Sequence, residues 1–215
     1  VPAPDSLGNV TSDVAFLYRD DALAVVDKPS GIVVHPGWAQ DDGGLLRRVR
    51  EAIGRPVFPV HRLDRGASGA VVFALDAAVA GEMGRVFAEG RVQKGYLALV
   101  RGHVPAEVVI DHPVPGKEGG PRVPAVTLLR ARGTWQRYGL CEAWPRTGRL
   151  HQIRRHLKHI SCPIIGDANY GKSEHNRFFR DTYGLDRLAL HARWLTFPHP
   201  LTGIELAVTA PLSGS

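Results

Sequence analysis

His61-Arg62-Leu63-Asp64-Arg65-Gly66-Ala67-Ser68-Gly69 runs without a break into the apolar stretch Ala70 to Ala74. One carboxylate sits among cations there. Two glycines and a serine let a loop approach a ligand closely, and the flanking arginines favour a charged Asp64 able to act as nucleophile or base. A plain salt-bridged turn would have the same composition, so the loop gains meaning only from what the rest of the chain brings to it.

Downstream, Arg146-Thr147-Gly148-Arg149-Leu150-His151-Gln152-Ile153-Arg154-Arg155-His156-Leu157-Lys158-His159 holds five Lys or Arg and no acid. Leu150, Ile153, Leu157 and Ile160 form one stripe at helical spacing, with Arg154 at its margin and Arg155 nearly opposite. Arg154 is therefore expected to reach inward, and Arg155 to face solvent. An arginine buried beside an apolar stripe requires an anion, and Asp64 is the natural candidate. A solvated basic helix face, or one that holds an RNA backbone, would use the same cations. Between the two clusters, Lys94-Gly95-Tyr96-Leu97-Ala98-Leu99-Val100 opens a strand on an aromatic ring that suits either core packing or stacking on a base.

The 215 residues are 44% hydrophobic and 22% charged, ordinary globular composition, which excludes a disordered or fibrous chain. Lys and Arg outnumber Asp and Glu by 27 to 21, which favours an anionic partner such as nucleic acid. Two cysteines, Cys141 and Cys162, read as reduced thiols, and no apolar run of about 18 residues exists. A cytoplasmic location is expected.

Leu23 to Asp27 and Ile32 to His35 read as strands around the turn Lys28-Pro29-Ser30-Gly31. Helical spacing marks Leu45 to Ile53, stopped by Gly54, and Val79 to Phe87 between Asp76 and Gly90. Further strands are expected at Val71 to Leu75, Tyr96 to Val100, Val108 to Ile110, Ala125 to Leu129, Leu140 to Trp144, Leu188 to Leu195 and Ile204 to Val208. Pro113 to Pro124 and Gly171 to Gly184 read as surface loops. Irregular alternation of strands and helices predicts an α+β fold with a mixed, mostly antiparallel sheet. Residues 1–12 read as a mobile leader and 13–215 as a single domain. The ten histidines show no zinc-ligand spacing, and no Walker or dinucleotide glycine signature is present, so no metal or cofactor is expected.

Together the clusters resemble the RNA pseudouridine synthases that share a His-Arg-Leu-Asp catalytic loop. The resemblance rests on ordered motifs: Asp27 to Gly31 with Val34-His35-Pro36, His61 to Gly69, Lys94 to Val100, Thr147 to His156, Pro163 to Asp167, Leu190-His191-Ala192 and His199-Pro200. It implies that Asp64 is the catalytic carboxylate, that Arg154 pairs with it, and that Tyr96 stacks on a flipped uracil and is a candidate for receiving the C5 proton. Arg62 would fill the vacancy left by the flipped base, while Arg65, Arg149, Arg155 and Lys158 would contact the RNA. Ala67 stands where the family usually has threonine. The stretches Arg137-Tyr138-Gly139-Leu140, Pro163 to Asp167 and Asn176-Arg177 to Gly184-Leu185 are most similar to the bacterial branch that modifies a uridine in the tRNA T-stem and lacks an appended N-terminal RNA-binding domain. A monomer with no cofactor, acting on RNA, most simply tRNA, is expected. Ribosomal RNA is the alternative substrate; a non-catalytic RNA-binding protein and a hydrolase are the rival classes.

Overall fold

The computed structural model describes residues 14–35 and 44–212; the leader expected at residues 1–12 and Pro36 lie outside them. Along the chain come β1 (Ala15–Arg19), β2 (Leu23–Lys28), α1 (Leu45–Ile53), β3 (Phe58–Pro59), β4 (Ser68–Ala74), α2 (Ala77–Ala88), β5 (Gln93–Arg101) and β6 (Glu107–Asp111). There follow β7 (Val114–Pro115), β8 (Arg122–Val123), β9 (Val126–Trp135), β10 (Tyr138–Pro145), α3 (Gln152–His159), α4 (Ser173–Tyr183), β11 (Leu190–Pro198) and β12 (Glu205–Thr209). Ten strands form one sheet in the order β1-β2-β4-β11-β5-β10-β9-β6, with β3 beside β4 and β12 beside β11. All its pairings are antiparallel except β4 with β11, so the fold is the mixed α+β arrangement expected.

Period-two alternation decides how the two halves of the core are filled. Ala24, Val26, Val71 and Phe73 face one cluster, which α1 closes with Leu45 and Val49 and α3 with Ile153 and Leu157. Leu23, Val25, Ala70, Val72 and Ala74 face the other, covered by Val79, Met83 and Val86 of α2. β2 and β4 thus bury both faces, which is why they read as continuous apolar runs. Burying each of these larger side chains contributes roughly 1.5–3 kcal/mol. The helix boundaries behave as the sequence predicts: Gly54 stops α1 at φ 79°, and the Asp76 carboxylate accepts from the Val79 amide at the start of α2.

Three expectations fail for identifiable reasons. Ile32 to His35 is not a strand, because its carbonyls have other partners: Ile32 accepts from Lys28, and Val33 and Val34 accept from the Leu45 and Leu46 amides that begin α1. Gly171 to Gly184 is not a loop but contains α4, whose polar sequence hides two buried positions one turn apart, His175 and Phe179. Phe179 packs against Tyr138 and Ile165, and Gly184 at φ 67° ends the helix. Pro113 to Pro124 folds as the small β7–β8 hairpin and buries Val114.

Candidate active site

Asp64 lies in the loop that leads into β4, and several restraints fix that loop. The Asp64 carbonyl accepts from the amide of buried Ala67. Lys28, fully buried at the end of β2, donates from Nζ to the carbonyls of Pro29, Ile32 and Arg65 at 2.9, 2.7 and 3.2 Å. Burial pushes its ammonium down to about 8, against the pull of the nearby Asp64 carboxylate. Gly69, at φ 111°, brings β4 so close to β11 that a side-chain carbon there would overlap the Ala192 carbonyl.

Arg154 approaches from α3. The helix begins on Gln152, whose amide oxygen accepts from the Thr147 hydroxyl and the Arg149 amide and whose nitrogen donates to the Val126 carbonyl and Thr127 hydroxyl. With α3 fixed, the buried Arg154 guanidinium donates from Nη1 to Asp64 Oδ2 at 3.0 Å. The anticipated pair is present, but it is the smaller part of the network. Nε and Nη2 of Arg154 donate to both oxygens of Asp167, at 2.7 and 2.9 Å, and that carboxylate also accepts from the amides of Asn169 and Tyr170. Burial opposes the charge on Arg154, yet its bonds to Asp167 and then Asp64 outweigh this and hold the guanidinium above its ordinary value. Burial likewise raises Asp167, but the bonds from Arg154 and the two amides prevail and its carboxyl is held low.

This pair forms part of the lining of a cleft of about 580 Å3, a size suited to a small ligand or a nucleotide. Arg62, Lys94, Lys117, Arg149 and Arg154 line it, with Asp64 as the one acid among the lining residues. Half-buried Tyr96 presents its ring there from β5, near Leu190 of β11. Burial, reinforced by the Asp64 charge, raises the Tyr96 phenol well above its usual value, so it stays protonated at neutral pH. A second cavity of about 880 Å3 adjoins, sharing Asp64, His151 and Arg154 and adding Arg65 and Arg187.

Arg62, Asp64, Tyr96, Arg149 and Arg154 therefore converge, while exposed Arg65 opens on the neighbouring cavity with its Nε on the Gly31 carbonyl. Lys158, exposed in the last turn of α3, lines neither cavity. Arg155 departs from the solvent-facing expectation. It is half-buried, because its Nε donates to the Tyr170 hydroxyl at 2.8 Å and its Nη1 to the Pro115 carbonyl at 3.0 Å. Sequence reasoning missed Asp167, Lys94 and Tyr170. The buried demand for an anion at Arg154 was a usable signal for Asp167, since a guanidinium presents more donors than a single carboxylate takes up.

The family profile described as RNA pseudouridylate synthase matches residues 22–159. Among curated relatives, "tRNA pseudouridine synthase C" of Vibrio cholerae is 38% identical, covering 92% of this chain and 90% of that protein. The protein of the same name from Haemophilus ducreyi is 37% identical, covering 93% and 91%. Of solved structures, Human RNA Pseudouridylate Synthase Domain Containing 4 superposes with a TM-score of 0.76 at 27% identity, covering 93% of this chain and 88% of that one. Human RNA Pseudouridylate Synthase Domain Containing 1 gives 0.73 at 27% identity, covering 100% and 94%. With a profile match across both the aspartate loop and the basic helix, and relatives of this identity along nearly its whole length, the chain belongs to the RNA pseudouridylate synthase family.

Proposed function

We propose that the protein isomerises a uridine to pseudouridine in the T-stem of tRNA, with Asp64 as the catalytic carboxylate. The observation that carries this reading is Asp64 held by Arg154 in a cleft lined by five Lys or Arg and one acid. The names of the relatives favour tRNA over ribosomal RNA.

In the reaction the uracil N1–C1′ bond breaks, the base turns while trapped, C5 bonds to C1′, and C5 loses its proton. No redox partner or energy source is consumed. Asp64 either attacks C1′ or takes a proton from the sugar. Arg154, anchored on Asp167, keeps the carboxylate in place through either route. The raised phenol of Tyr96 favours stacking on the uracil over acting as a ground-state base. A uridine in a stem must leave the stack at a cost of a few kcal/mol, and exposed Arg62 at the cleft is suited to fill the gap. Arg65, Arg149, Arg155 and Lys158 supply backbone attraction, Arg155 in a reduced role because two of its donors are already engaged. The described chain would act as one catalytic domain, as a monomer in the cytoplasm.

Transfer RNA tritiated at uracil C5 tests the proposal directly. Wild-type protein should release tritium to water, and Asp64→Asn should release none while binding RNA within a few fold. Unaltered turnover by the variant would leave a non-catalytic or different site. A cleaved, lighter product would instead indicate a hydrolase. Mapping pseudouridines in cells with and without the protein assigns the substrate, and a missing ribosomal site would overturn the choice of tRNA.

A further inference from the structure

His151 lines both cavities, where they meet beside Asp64 and Arg154. It precedes α3 in the left-handed region at φ 53°. Nδ1 lies 3.1 Å from the Tyr170 hydroxyl, and that hydroxyl accepts from Arg155 Nε at 2.8 Å. Arginine can only donate. With that bond accepted, the hydroxyl has its own proton to give to Nδ1, and in this tautomer the imidazole proton sits on Nε2. Burial, helped by Arg154 and Arg155 and opposed by Asp64 and Asp167, lowers the proton affinity of the ring, consistent with a neutral imidazole.

Nε2 then faces Asp64 Oδ1 at 3.9 Å, too far for a hydrogen bond, while Arg154 occupies Oδ2. A donor and an acceptor thus flank one gap. The group that completes it accepts from one side and donates to the other at a single atom, which is what a hydroxyl does and a uracil ring atom does not. With Asp64 acting on the sugar beside the glycosidic bond by either route, the nearby hydroxyl is the one on C2′.

We propose that His151 and Asp64 together hold the ribose 2′-hydroxyl of the target nucleotide, His151 donating from Nε2 and Asp64 accepting at Oδ1. The inference rests on Asp64 acting beside the sugar, and it adds a residue that selects ribose over deoxyribose.

Inhibition by product RNA tests it, using two otherwise identical RNAs that carry pseudouridine or 2′-deoxypseudouridine at the modified position. His151→Asn tolerates the left-handed backbone and ends short of Nε2, so it removes the proposed donor. Wild-type protein should bind the ribose form roughly three- to tenfold more tightly, and His151→Asn should lower that ratio toward one. Tyr170→Phe, which frees the imidazole proton to sit on either nitrogen, should lower it in part and stands in if the Asn variant does not fold. A wild-type protein indifferent to the hydroxyl, or variants with undiminished discrimination, would overturn the proposal. Tritium release by Asp64→Asn would refute the catalytic reading separately, whatever these ratios are.

Discussion

Arg154 and Asp64 form one pair, yet the two ends of it carry unequal structural weight. Removing Asp64 leaves the guanidinium in its two-pronged contact with buried Asp167, whereas removing Arg154 strands Asp167 with only backbone donors. Arg154→Ala should therefore destabilise the protein by about 3–5 kcal/mol, and Asp64→Asn by less than about 1 kcal/mol, measured by urea denaturation. Equal losses would mean that Asp167 does not anchor the arginine. Lys28 is the second residue whose environment sets its behaviour. Its Nζ should titrate near 8, readable by NMR on labelled lysine, because the unfolded chain holds that proton up to about 10.5 and the buried site does not. Stability should consequently gain from Lys28 as pH rises through this interval.

Among the elements, α4 shows how little sequence polarity says about a helix with a narrow buried stripe. Eleven residues with one buried aromatic and one buried histidine give no strong apolar pattern, and the helix is fixed by contact with Tyr138 and Ile165 together with Asn176, which accepts from the Gly166 amide and donates to the Asp167 carbonyl. The Tyr138 hydroxyl bonds His175 Nδ1 at 3.0 Å, and its ring meets Phe179 edge-on at 4.7 Å between centroids. Phe179→Ala should cost about 3–5 kcal/mol and expose α4 to proteolysis before the central sheet. Loss of the whole fold at once would show that α4 is not a separable unit. By contrast, α1 and α2 were legible down to their caps, since their apolar spacing and stop signals agree. Ile32 to His35 carries the β-branched pattern of a strand, but a lysine and a helix start claim the carbonyls of Ile32, Val33 and Val34.

At the scale of the molecule, several histidines are held neutral by burial: His61, pushed down to about 3, and His151, His156 and His191, each lowered from 6.5. The unfolded chain takes up these protons as pH drops below about 6.5 and the folded chain resists, so stability present at neutral pH is lost progressively on acidification. Glu142 is held low chiefly by Arg132. Asp20 and Asp167 are held low by their hydrogen bonds despite burial, so all three carboxyls add a further loss at lower pH. The melting temperature should fall steadily from about pH 6.5 toward pH 4, and His61→Gln should flatten part of the slope. A flat profile across that range would mean that these rings are protonated in the fold.

The sequence alone determined the mixed sheet, the capped helices and the chemical cast of the site, because periodicity, stop residues and the types at Asp64, Tyr96 and Arg154 are local properties. Tertiary structure decided how they meet and what else joins them. Asp64 and Arg154 are 90 positions apart, and Asp167 claims most of the guanidinium only because α3 and the segment after it pack together. Arg155 turns from solvent to Tyr170 and Pro115 for the same reason. Helical angle assigns a side chain its direction from the axis, but what waits in that direction is set by distant chain.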